Sequence, residues 1–148
     1  MKMSNPTFKL ALIAALTLFA SCRETPKNED PNRERMEAII AIHDEVMPEM
    51  GTIAKLVAQL KPLADSIEAG APYRVAMEDL QQAHESMMDW MKNFGDRFNY
   101  EEIKGIEPIS PEKQDWIREE EESVQAMKEQ VFGSIERAKA LLDSVPAP

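Results

Sequence analysis

Apolar side chains in this chain recur at steps of three and four residues through three long segments, and that spacing confines them to helices. In the first segment Met36, Ile40, His43, Met47, Met50, Ala54 and Val57 alternate steps of four and three. In the second, Met77, Leu80, His84, Met87, Met91, Phe94 and Phe98 do the same, and Ala76, Ala83 and Trp90 widen the stripe. The third carries Trp116, Ile117, Val124, Met127, Val131, Ile135, Ala138 and Leu142. A stripe of this period marks a helix burying one seam against another helix. A half-buried strand needs strict alternation, and no segment offers it. Five glycines and 6% aromatic residues are also too few turn and strand formers for a barrel or sandwich.

Prolines and caps punctuate these segments. Pro48 lacks the N–H that would continue the helix, so it predicts a kink in the first stripe. Lys61-Pro62 predicts a second bend, and residues 68–72 a turn. The second helix ends before Asn99, and residues 99–109 read as a loop. Ser110, Pro111 and Glu112 then supply an N-cap hydroxyl, a first-turn proline and an acid near the positive end of the helix dipole. The expected fold is all-α: a three-helix up-down-up antiparallel bundle, coiled-coil-like, in a domain spanning 33–148. Its helices cover about 33–67, 72–98 and 111–143. A first turn centred near residue 69 sets Met47 opposite Met91, Met50 opposite Met88, His43 near Phe94 and His84 level with Ala54. A second turn centred near 104 brings Glu119–Glu122 to the level of His43.

Residues 1–21 have a different character. Lys2 and Lys9 precede an uncharged apolar run from Leu10 to Ala20, too short for the roughly 20 residues that cross a bilayer. It fits the apolar region of a secretory signal peptide. Leu18, Phe19, Ala20 and Ser21 lead into Cys22, the sole cysteine. This arrangement resembles the lipobox of bacterial lipoproteins, in which small residues precede a cysteine that is acylated and becomes the mature N-terminus. The alternative is a plain signal peptide with an incidental cysteine. A single cysteine can form no internal disulfide, and in an exported chain it would otherwise be a free thiol. Residues 22–32 then read as the lipidated cysteine and a polar, proline-containing tether.

Charge narrows the partners. The chain carries a net charge of -10, and loss of residues 1–21 removes two lysines and no acid, giving -12. Nucleic acid is excluded as a partner, because a binder needs a basic footprint to displace counterions from phosphates. Anionic headgroups repel such a body, so membrane attachment falls to the acyl chains.

The segments His43-Asp-Glu-Val-Met-Pro-Glu-Met50 and Ala83-His-Glu-Ser-Met-Met-Asp-Trp-Met91, with the Cys22 motif and the three-helix length, resemble small helical lipoproteins of Bacteroidetes-type bacteria. That group is often catalogued as "viral A-type inclusion protein". The resemblance implies a cell-envelope lipoprotein, on the periplasmic face or the cell surface, and it implies no activity.

One constellation carries possible chemistry. Each of the two histidines opens a methionine cluster: His43 with Met47 and Met50, and His84 with Met87, Met88 and Met91. Offsets of three, four and seven share a helix face. Imidazole with thioether is a ligand set that suits Cu(I), and His43 with Met47 and Met91 is the most economical combination. A His/Met pair can also ligate haem iron axially, although the chain has no C-x-x-C-H for covalent attachment. The competing reading is core packing, since methionine is flexible filler. No cofactor is required for folding on either reading. The chain lacks a phosphate-binding glycine loop, an H-E-x-x-H and a nucleophile elbow, so no enzyme activity is expected. The Glu119–Glu122 run reads as a solvated face with one acid turned inward. The expected role is structural, docking an envelope partner; soft-metal handling is the alternative.

Overall fold

Pro48 does more than kink the first arm; it splits it. The computed structural model describes residues 31–66 and 70–145, and within them the first arm is two helices, α1 (Pro31–Val46) and α2 (Glu49–Ala64). The last α-helical bond before the break is Met47 N–H to His43 O at 2.9 Å. Pro48 has no N–H to give Asp44, and the chain tightens into bonds from Met50 to Met47 O and from Gly51 to Pro48 O. Pro62 behaves differently: α2 runs through it and stops two residues later, at Ala64.

The second arm is α3 (Gly70–Arg97), which begins two residues before the sequence reading placed it. Gly70 is buried against the end of α2, and a Cβ there would collide with the Ala64 carbonyl. The third arm is α5 (Gln114–Asp143), entered through a 3₁₀ turn at Pro111–Lys113. Ser110 stands at the expected position, but its hydroxyl makes no cap bond and donates to Glu112 Oε2 at 3.0 Å. The connection expected to be a loop contains a further helix, α4 (Tyr100–Lys104). Its cap is reciprocal: the Asn99 side chain accepts from Glu102 N–H, and the Glu102 carboxylate accepts from Asn99 N–H. Gly105 closes it at φ +68°, a conformation that favours glycine.

The arms run up, down and up. Arg35 pairs with Glu121 and Glu45 with Lys128, so α1 and α5 are parallel; Asp79 pairs with Arg137 and Arg97 with Glu120, so α3 and α5 are antiparallel. The fold is an all-α helical bundle, and no strand occurs among the described residues.

The buried seam of the first arm is not the one read from spacing. Met36, Ile39, Val46, Ile53, Leu56, Leu60 and Ala64 are buried, whereas Met47 and Ala54 are exposed. The stripe is two residues wide, with Ile39/Ile40, Val46/Met47, Ile53/Ala54 and Leu56/Val57 side by side. In Val46/Met47 and Ile53/Ala54 the branched aliphatic member takes the deep position, whereas Ile39/Ile40 and Leu56/Val57 offer a branched side chain on either seam. The core continues through Leu80, Ala83, Met87, Trp90, Phe94 and Phe98 on α3 and Ile117, Val124, Met127, Val131, Ile135 and Ala138 on α5.

The expectations for residues 1–21, for Cys22 and for most of the tether lie outside the described residues. The tether reading extended to residue 32, but α1 already includes Pro31 and Asn32, and Asn32 is buried.

Candidate functional site

His43 lies in the last turn of α1, just before the break, half-buried with its ring stacked on Trp90 at 5.5 Å. Its Nε2 lies 3.3 Å from Met91 Sδ on α3, and its Nδ1 lies 3.0 Å from Asp44 Oδ1. An ionised carboxylate only accepts hydrogen bonds, so Nδ1 carries the proton in the neutral ring. That leaves the Nε2 lone pair turned to a thioether, which has no proton to donate.

His43 thus faces Met91 and Trp90, one helical turn from its expected level near Phe94. The shift follows from where the first turn closes, at Ala64 against Gly70 instead of near residue 69. Glu119–Glu122 are also displaced from the level of His43: Glu119 and Glu120 pair with Arg97, and Glu121 with Arg35. The α4 helix occupies the connection and sets α5 further along. Lys128, bonded to Glu45 at 2.7 Å, faces that part of α1.

The two histidine–methionine clusters separate. His84 and Met88 are exposed, and Met87 is fully buried in the core. Met50 is half-buried against the core, and Met47 is 37% exposed, one turn beyond His43. His43 and Met91 are brought into direct contact. Among the described residues no group of three or more His, Cys, Asp and Glu could hold a metal ion.

On the other side of Trp90 lies an open groove of about 920 Å³ between α3 and α5. Glu85, Asp89, Asp96, Glu119 and Glu120 line it, with Arg97 the one cation. Trp90 Nε1 donates to Ser123 Oγ at 3.2 Å, and Ser123 donates to Glu120 Oε2 at 3.0 Å. Glu120 is 2% exposed and is completed by Arg97 Nη1 at 2.9 Å. This is the acid that the sequence placed inward from the Glu119–Glu122 run. Glu85 and Asp89 have no ion-pair partner among the described residues. Aromatic contacts extend the Trp90 stack along α3 through Phe94 and Phe98, and on to Trp116 of α5.

A second buried carboxylate closes the α4 end. Glu102 accepts from Lys113 Nζ at 2.6 Å as well as from Asn99 N–H. Burial alone pushes its pKa up, but the bonds from Lys113, Asn99 and Ser110 outweigh that and hold it below the ordinary value. The bidentate bond from Arg35, at 2.7 and 2.6 Å, likewise holds Glu121 below its ordinary value against partial burial. Sequence reading missed Glu102 and Arg97. The Asn99-x-x-Glu102 spacing was a visible capping-box signal for the first, whereas nothing local marked the second.

No helix among the described residues is long and apolar enough to cross a membrane. Comparisons with protein-family models, curated proteins and solved structures find no match to this chain.

Proposed function

We propose that this chain is a cell-envelope lipoprotein whose acidic helical bundle, tethered through acylated Cys22, docks a cationic segment of a partner protein. The observation that carries the docking role is the α3/α5 groove, concave, open and lined by five carboxylates around a single arginine. Such a surface attracts Lys- and Arg-bearing segments and speeds their encounter. The apolar run ending at Cys22 and the resemblance to small helical lipoproteins support the tether. On this reading the bundle has no catalytic role.

Two experiments test the halves of the proposal separately. Cys22→Ala should leave an unprocessed precursor and abolish labelling by a fatty-acid analogue; processing and labelling like the parent would overturn the anchor. For docking, crosslinked partners recovered from detergent-solubilised envelopes should be lost on Glu85→Lys/Asp89→Lys. Recovery unaffected by that charge reversal, or weaker recovery from Lys55→Glu on the remote α2 face, would overturn the groove as the docking surface.

A further inference from the structure

We propose that His43 and Met91 form a preorganised Cu(I) site, with Asp44 positioning the histidine and Met47 completing the coordination. This inference is independent of the docking role, because it rests on the α1/α3 contact and not on the groove.

Three observations converge on it. The first is distance. Metal–nitrogen and metal–sulfur bonds of about 2.0 and 2.3 Å, as in zinc sites, put two ligands of a tetrahedral ion about 3.5 Å apart. His43 Nε2 and Met91 Sδ stand 3.3 Å apart, within a few tenths of that bite. The second is protonation. In the neutral ring Nδ1–H donates to the Asp44 carboxylate, which leaves two electron-pair donors, Nε2 and Sδ, turned toward each other with no hydrogen between them. A metal-bound histidine ordinarily donates its other N–H to a carboxylate, and Asp44 is already in that place. The third is rigidity and access. Trp90 stacks on the imidazole and fixes its plane, while the His43 side chain keeps 20% of its surface open for an ion to enter.

The donor set selects the ion. A thioether is a soft, neutral ligand that serves Cu(I) and gives little to zinc, magnesium or calcium. Met47 supplies the third donor: its N–H still bonds His43 O in α-helical fashion, so the two side chains share a face one turn apart. The other cluster does not contribute. His84 and Met88 are exposed, and Met87 is sealed in the core.

The chain is tested with Cys22→Ala in every sample, so that the sole thiol cannot bind the metal. Two readouts are used: competition for Cu(I) against a chromophoric chelator, and Trp90 fluorescence with Ag(I) as a redox-inert soft surrogate. Trp116→Phe leaves Trp90 as the single tryptophan reporter. The parent should compete for one equivalent of Cu(I), and Ag(I) should quench Trp90 saturably at the same stoichiometry. Met91→Leu nearly conserves volume, so it should fold like the parent and lose both signals. Met47→Leu and Asp44→Asn should each weaken binding by about tenfold or more, in the range set by supporting groups around metals. His84→Ala and Met88→Leu should bind like the parent. Parent-like binding by a folded Met91→Leu chain, or equal loss in His84→Ala, would overturn the site. Parent-like binding by Met47→Leu would overturn the third ligand.

Discussion

The two ends of this bundle are built from different chemistry. Where α2 packs on α3 and α5, the interior is aliphatic: Ile53, Leu56, Leu60, Leu80, Val131, Ile135 and Ala138, with Ser134 the one buried polar side chain there among the described residues, its hydroxyl donating to Val131 O. Where α1 and α4 pack on α3 and α5, the interior carries an aromatic ladder, two buried carboxylates and their cations, and the half-buried His43. The aliphatic end needs only area removed from water, which is non-directional. The polar end needs each donor to meet an acceptor, because an unpaired buried charge is strongly destabilising. No buried side-chain nitrogen or oxygen lacks a hydrogen-bond partner among the described residues. On the proposal that the α3/α5 groove docks a partner, recognition falls at the second kind of interior.

The contrast can be broken by substitution. The largest effect is expected in the aliphatic end: Leu60→Ala should cost about 3–5 kcal/mol, as a fully buried leucine leaves a cavity. No second substitution at a contacting polar residue should restore it. At the polar end Arg97→Met strands the Glu120 carboxylate and should cost about 2–3 kcal/mol, discounted because Arg97 is partly open to water. Here a second change does restore stability: Arg97→Met/Glu120→Leu removes the stranded charge and should return most of the loss. Urea unfolding of the single and double variants measures both. A double variant no better than Arg97→Met would erase the distinction.

Acid should separate the two ends next. Glu102 and Glu121 titrate below their unfolded value of 4.5. Their contribution is therefore complete above that value and is lost as pH falls through the lower folded values. Urea midpoints measured from pH 7 to pH 3 should hold to about 4.5 and decline below it, and Lys113→Met should flatten part of the decline. An unchanged acid slope in Lys113→Met would remove Glu102 from the account. Smaller still is Gly105→Ala, expected to cost about 1–2 kcal/mol in thermal unfolding, since φ is +68° and a Cβ would crowd the Arg33 guanidinium.

The same division explains what the sequence disclosed. Helix type follows from apolar spacing, which is local, and arm number and direction from the short connections; the stripes of α3 and α5 conform, whereas α2 buries Ile53, Leu56 and Leu60 in place of Ala54 and Val57. Pro48 was visible as an interruption, but whether a proline kinks or splits depends on packing on both sides of it. The choice of Ile39 over Ile40 and Val46 over Met47 could not be read from steps of three and four, because both seams satisfy them. Register was missed by one turn, since it depends on the close approach of Gly70 to Ala64 and on α4 filling the second connection. His43 and Met91 were singled out as a pair by ligand type. Arg97 was invisible, because its partners Glu119 and Glu120 lie on another arm.

We propose that partner recognition belongs to the α1/α3/α5 end and not to the aliphatic end. Photo-crosslinking in intact cells tests it most directly, with the reactive side chain placed at Asn93 in the groove or at Lys55 on exposed α2. A discrete crosslinked adduct is expected from Asn93 that disappears on Glu85→Lys/Asp89→Lys, and none of that mass from Lys55. The same adduct from both positions, or from Lys55 alone, would contradict it.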